Sequence, residues 1–211
     1  SHAKGLSILM QGLSDILANT RYDIVLLSGD RGEQLSAAIC ASYCYIPVAH
    51  IQAGEVSGNI DGLARHAIGK LAHIHFASNE DAANRLKMLG EQEFRINMVG
   101  APQIDDMVRL PLPKEVEIKK NIGIGAGEKF LLSVLHPVTE NLTTMKGEAL
   151  SYFSALSELD SQIIHIMPNN DVGHDIVNEQ IKEFSFAKLS AFKNLSRGSY
   201  LWLLKNCACI V

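Results

Sequence analysis

Apolar residues recur every three or four positions through Leu6, Leu9, Met10, Leu13, Ile16 and Leu17, the spacing of one helix face, and predict a helix over 5–18. The rhythm then tightens. Asp23–Ser28 and Pro47–Ile51 are short apolar runs, the pattern of strands buried on both faces. Between them, Ala37, Ala38, Ala41 and Cys44 mark a helix over 33–44. The series continues as a helix Ile60–Ala72, a strand Ile74–Ser78, a helix Glu80–Leu89 closed by Gly90, and a strand Ile96–Val99.

The pattern breaks where Pro102, Pro111 and Pro113 crowd together ahead of a charged stretch at Lys114–Lys120. This segment reads as a linker with one helix at about 103–108, and it divides the chain into 1–110 and 111–211. A second series follows: strand Phe130–Leu135, helix about 145–158, strand Ile163–Met167, helix about 174–184, helix Tyr200–Lys205 and strand Ala208–Val211. Strands alternating with helices predict an α/β fold on parallel sheets. The first series starts on a helix with no strand before it, and the second stops inside an apolar strand, so both are expected to be incomplete.

The strand ends carry the chemistry. From His50 to Phe76 the chain reads HIQAGEVSGNIDGLARHAIGKLAHIHF, which holds four of the eight histidines together with Gln52, Glu55, Asp61, Arg65 and Lys70. A polar, Gly-rich turn directly after a buried strand is where α/β proteins place function. Asp30 follows VLLSG, either as the N-cap of the next helix or as a carboxylate facing a cleft. Strand alternation sets His50 and Gln52 on one face. Asp61 and Arg65 share a helix face, as a surface ion pair or as part of a site. His136 follows the strand of LLSVLHPVT, and Asn169, Asn170, Asp171 and His174 follow the next one. His73 and His75 flank Ile74, but no third ligand has convincing spacing, so no metal site is expected. Gly123, Gly125 and Gly127 precede a strand, whereas a phosphate-binding glycine loop must follow one, so they read as a turn.

Composition narrows the classes. A formal charge of −4 offers no basic footprint for nucleic acid or an anionic membrane. No apolar run reaches membrane-spanning length, and no signal-peptide pattern opens the chain. Cys40, Cys44, Cys207 and Cys209 lie in apolar contexts and read as buried free thiols of a reducing, cytoplasmic setting.

The stretches GDR, HIQAGEVSGNID, RHAIGKLAHIHF, VGAPQIDD, LHPVTE and PNNDVG, in this order, resemble the hydrolysing UDP-N-acetylglucosamine 2-epimerases, in the branch that feeds sialic-acid-type sugars. The resemblance runs from about residue 22 to residue 211. It implies two Rossmann-like domains of the GT-B type with a UDP-sugar bound between them. Residues 1–110 would be the second half of the first domain and 111–211 the first half of the second. The family's N-terminal strand and basic phosphate loop, and its Gly-Asn-Ser-Ser loop, have no counterpart in this sequence.

The implied reaction expels UDP from C1, removes the C2 proton to give a glycal, and adds water to yield the free 2-epimer. The substrate would be UDP-GlcNAc or a 2,4-diacetamido-trideoxy analogue. By this resemblance Asp30, Asp61 and His136 match acid–base and cleft positions. Glu55 joins the catalytic set because Gln52 stands where many relatives carry a catalytic Glu, and an amide cannot act as a base. Arg31, His50, Gln52, Ser57, Arg65, His66, Asn169, Asn170 and Asp171 are expected to bind substrate. The chemistry needs no cofactor. The resemblance also implies a homo-oligomer, dimer or tetramer. A GT-B glycosyltransferase and a non-catalytic UDP-sugar-binding fragment are the alternatives.

Overall fold

Short, mostly apolar segments pair into two parallel sheets, one in each of two units, Ser1–Val108 and Arg109–Val211. The structure, a computed structural model, describes residues 2–138, 141–170 and 172–211.

The first unit runs α1 (His2–Asn19), β1 (Val25–Ser28), α2 (Gly32–Tyr43), β2 (Val48–Ile51), α3 (Ile60–Leu71), β3 (Ile74–Ala77), α4 (Glu80–Met88) and β4 (Ile96–Met98), with α5 (Pro102–Arg109) at the boundary. Its four strands lie in the order β1-β2-β3-β4, all parallel. One core cluster joins Leu27, Ala38, Ala41, Val48, Ile68 and Ala72, and a second joins Ala53, Ala77, Ala82 and Leu86. Two asparagines start helices here. The side chain of Asn59 accepts from the Asp61 N–H at 3.1 Å, and that of Asn79 accepts from the Ala82 N–H at 2.9 Å. Each such cap contributes about 1 kcal/mol.

The second unit runs α6 (Glu115–Ile122), β5 (Phe130–Val134), α7 (Leu142–Ser157), β6 (Gln162–Ile166), α8 (His174–Gln180), β7 (Lys188–Phe192), α9 (Arg197–Asn206) and β8 (Cys209–Ile210). Its strands are parallel in the order β7-β6-β5-β8. The neighbours Ile163 and Ile164 face opposite ways, as strand residues must. Ile163 packs with Met145, Phe153 and Val177, while Ile164 packs with Ile118, Leu132, Trp202 and Leu203. Strand order reverses at β5, which has β6 on one side and β8 on the other. Such a reversal opens a crevice at the carboxyl edge of a parallel sheet.

Several expectations need correction. The charged stretch at 114–120 is not linker but α6, which buries Ile118 and Ile122 one turn apart and ends at left-handed Gly123. The strand β7 went unread, because Lys188–Phe192 is only partly buried and lacks a continuous apolar run. The helix after the 136 region starts at Leu142, and α8 stops at Gln180. Of the four cysteines, all unpaired, only Cys40 is buried, and Cys209 is exposed.

One backbone contact fixes the turn that matters most. Gly54 has φ +76°, and a Cβ placed there would come within 2.3 Å of the Ala82 carbonyl oxygen. The turn after β2 is thereby pressed against α4. Gly54→Ala is expected to cost the first unit about 2 kcal/mol, from strained φ and forced displacement of α4. Urea denaturation of the variant checks this, and an unchanged midpoint contradicts it.

Candidate active site

The carboxyl ends of β1 and β2 converge on one guanidinium. Arg65, on α3 and only 6% exposed, sends Nη1 to the Gln52 carbonyl oxygen at 2.6 Å and Nη2 to Asp30. Nη2 also lies 3.3 Å from the Ser57 hydroxyl, and Nη1 lies 3.6 Å from the Glu55 carboxylate. Ser57 in turn donates to Asp30 at 2.5 Å. Two carboxylates, a hydroxyl and a backbone carbonyl from the turns after β1 and β2 are thus gathered by one fork, a task that suits arginine and not lysine.

The two carboxylates stand in different states of commitment. Both donors to Asp30 reach the same oxygen, Oδ2. Burial pushes the Asp30 carboxyl up, but the Ser57 hydroxyl and the Arg65 guanidinium outweigh it and hold the group below the ordinary carboxylate value. Asp30 is therefore a fixed negative charge. Glu55 touches Arg65 only at ion-pair range, beyond a hydrogen bond, and keeps lone pairs for a ligand.

Local backbone shape sets this arrangement. Gln52 has φ +62°, a conformation that costs a non-glycine residue about 1–3 kcal/mol and gathers at functional turns. It ends the strand alternation at Ile51, so the expected shared face of His50 and Gln52 does not form. His50 instead turns fully into the protein. Its Nε2 donates to the Gly29 carbonyl at 2.7 Å, and its buried Nδ1 has no partner. Asp30 is not the N-cap of α2; that position belongs to Arg31, whose side chain is 3.6 Å from Glu33.

Not every expected residue joins the cluster. Asp61 lies in the first turn of α3, where the Asn59 side chain reaches it at 3.3 Å, and Arg65 pairs with Asp30 and Glu55 rather than with Asp61. His66 is half-buried on α3. Among the described residues, no three His, Cys, Asp or Glu side chains are placed to hold a metal ion.

The second unit offers a hollow of about 680 Å³ at the carboxyl ends of β5, β6 and β7. His136 after β5, Asn169 and Asn170 after β6, and Lys193 and Asn194 after β7 line it, with His174 and Asp175 from α8. Asp171 lies outside the described residues. Lys193 and Asn194 escaped the sequence reading because the strand that delivers them did. A paired-strand pattern in KLSAF was the available signal. A polar chain links β5 and β6 to α7, buried at Ser133 and His165. Tyr152 on α7 donates to the Val211 carbonyl at 2.8 Å, so its oxygen accepts from Ser133 at 2.8 Å, and Ser133 accepts from His165 Nδ1 at 2.8 Å. Burial first, and then the nearby His136, push the His165 imidazole down to about 4.

Comparison with known proteins places this geometry in context. A family model described as UDP-N-acetylglucosamine 2-epimerase matches residues 1–211. The chain is 35% identical over 207 residues to the UDP-N,N'-diacetylbacillosamine 2-epimerase (hydrolyzing) of Legionella pneumophila, covering 98% of this chain and 55% of that protein. It is 37% identical over 184 residues to the UDP-N-acetylglucosamine 2-epimerase of Neisseria meningitidis, covering 87% of this chain and 48% of the relative. The chain spans about half the length of the curated relatives it matches. Among solved structures, the Neisseria meningitidis UDP-GlcNAc 2-epimerase bound to UDP-GlcNAc superposes with a TM-score of 0.85 at 19% identity, over 100% of this chain and 59% of that one. The Methanocaldococcus jannaschii UDP-GlcNAc 2-epimerase in complex with UDP-GlcNAc and UDP gives a TM-score of 0.80 at 22% identity, over 100% and 60%. These structural likenesses establish the fold.

Proposed function

Because the chain belongs to the UDP-N-acetylglucosamine 2-epimerase family, we propose that the intact protein releases UDP from a UDP-N-acetylhexosamine and yields the free 2-epimer sugar. The single observation that carries this reading is the cluster of Asp30, Ser57, Glu55 and Arg65 at the ends of β1 and β2. It holds one committed carboxylate and one uncommitted carboxylate around a fixed cation.

The roles follow from that difference. Cleavage of C1–O gives oxocarbenium character at the sugar ring, which the fixed charge of Asp30 stabilises. With that charge developed, the C2 hydrogen becomes acidic enough for Glu55 to remove, giving the glycal. Water then adds across the C1–C2 double bond, its hydroxyl going to C1 and a proton to C2 from the opposite face. The net change is UDP-sugar plus water to UDP plus epimer. In this reading the hollow of the second unit, lined by His136, Asn169, Asn170 and Lys193, is assigned to a nucleotide diphosphate, with Lys193 as the point charge. The four unpaired thiols suit the cytoplasm, and a homo-oligomer is part of this reading.

Incubation with UDP-GlcNAc alone tests the reaction. Release of UDP and free N-acetylmannosamine without an acceptor, followed by NMR, is expected. A requirement for an acceptor would point to glycosyl transfer, and binding of UDP by calorimetry without turnover would point to a binding module. The same assay with a UDP-2,4-diacetamido-trideoxyhexose decides the substrate, since the Legionella relative is named for such a sugar. Glu55→Gln is expected to slow UDP release about 100-fold. Near-normal release would remove Glu55 as the base.

A further inference from the structure

The His50 side chain sits in the middle of the cluster's supporting layer and touches none of the groups that would meet a ligand. It is 0% exposed and lies within β2, one residue before the strand ends at Ile51. Its Nε2 faces the carbonyl oxygen of Gly29 at 2.7 Å. A carbonyl only accepts, so Nε2 carries the hydrogen, and the neutral ring keeps a lone pair on the unpartnered Nδ1. Gly29 is left-handed, at φ +90°, and is joined directly to Asp30. Together with the Gly29 N–H, which donates to the Ile51 carbonyl at 3.3 Å, this hydrogen bond pins the residue that leads into Asp30.

We propose that His50 is a positioning residue that acts through Gly29 to hold Asp30 on Arg65, rather than a residue that binds substrate. The geometry fits a lever of this kind. Without the imidazole, the half-buried Gly29 carbonyl would lose its donor, and the turn would move to find another. Asp30 would move with it and lose the angle at which Ser57 and Arg65 share Oδ2. A second layer stands behind His50. His75 is its register partner on β3 and is also 0% exposed. His75 lies 3.4 Å from the Glu91 carboxylate, which Lys70 holds at 2.7 Å.

The charged and titratable groups that face His50 are Arg65 from α3, His75 from β3 and Asp30 from the turn after β1. Burial, foremost, and then Arg65 and His75 push its imidazole below the ordinary histidine value, against the pull of the Gly29 carbonyl and Asp30. Protonation of Nδ1 thus comes only at acid pH, and it sets a second positive charge beside Arg65.

This inference rests on the proposed reaction for its kinetic readout but not for its structural one. The structural readout is the titration of the Asp30 carboxyl, followed by carbon-13 NMR of the intact protein. His50→Leu removes the donor, and the Asp30 titration is expected to move up toward the ordinary carboxylate value. His50→Gln restores a neutral donor, and the titration is expected to return to the wild-type position. In the UDP-release assay, His50→Leu is expected to lose about 100-fold in kcat with KM within about threefold, the scale of a misplaced catalytic group. His50→Gln is expected to recover most of that loss, with the acid limb of its pH profile no longer following the imidazole. If the leucine variant does not fold, His50→Asn, too short to reach Gly29, takes its place with the same expectation. An Asp30 titration that stays at its wild-type position in the leucine or asparagine variant overturns the proposal, as does a folded glutamine variant whose titration fails to return. If the titration moves as stated while the wild-type protein releases no UDP, the positioning role stands and the reaction falls.

Discussion

Arg65→Leu is expected to lower the efficiency of UDP release about 10³-fold and to destabilise the first unit by about 3–5 kcal/mol. Both effects come from the same loss. Arg65 is 6% exposed, and the carboxylates that it holds are 17% and 26% exposed. Without the guanidinium, two negative charges face each other with little water to screen them, and the Gln52 carbonyl loses its donor. Burying an uncompensated charge costs far more than the pair itself contributes. In the proposed reaction the transition state loses more than the ground state, because the oxocarbenium needs Asp30 at a fixed place. Arg65→Lys supplies the charge without the fork, and is expected to recover stability in part but little activity. Urea denaturation and the UDP assay measure the two losses. A leucine variant with wild-type turnover would dismiss the cluster as the seat of catalysis.

The second large effect belongs to pH and to the other unit. The His165 imidazole falls from 6.5 to about 4 on folding. As pH drops through 6.5, the unfolded chain takes up a proton that the folded chain refuses until about pH 4. The unfolded state therefore binds more protons across that window, and stability is lost as the solution becomes acid. Above pH 6.5 the contribution is complete and flat. The displacement corresponds to about 3 kcal/mol lost between pH 6.5 and pH 4. Trp202 is the sole tryptophan and lies in the core of the second unit, stacked on Phe130, so its fluorescence reports this unit alone. Urea midpoints of the wild type should fall steadily across the window. His165→Gln keeps a donor for Ser133 but cannot titrate, and its midpoints should be nearly level. An equal slope in both proteins would assign the acid lability elsewhere.

Particular residues explain how far the chain could be read without its structure. The strands of the first unit were legible as short apolar runs that end in polar or glycine-containing turns, although only β2 is buried on both faces, and Leu26 of β1 and Met98 of β4 are exposed. The residues of the Arg65 cluster were legible as a group, since Asp30, Gln52, Glu55, Ser57 and Arg65 all follow strand ends or share the next helix. Their wiring was not. Helical spacing pairs Arg65 with Asp61, yet the longer reach of Arg65 to Asp30 depends on the left-handed turn at Gln52, which a glutamine does not announce. His50 looked like a ligand-facing group because alternation extends a strand one residue too far. The helix α6 hid in plain charge: Ile118 and Ile122 one turn apart, Glu115 bridged to Lys119 at 2.6 Å, and Gly123 as the stop were all present in the sequence. Proline clustering outweighed them. Missing β7 then removed Lys193 and Asn194 from view, because a residue at a strand end is visible only when the strand is.

The left-handed residues Gly29, Gln52 and Gly54 leave a practical legacy. They write part of the shape of this corner in main-chain torsions, so solvent-facing side chains just beyond them can vary without redrawing it. Val56, at 65% exposure, and Ile60, at 66%, project from that scaffold into solvent. Within the proposed function, directed evolution toward a bulkier or more polar sugar would randomise those two positions and leave the three torsional anchors untouched.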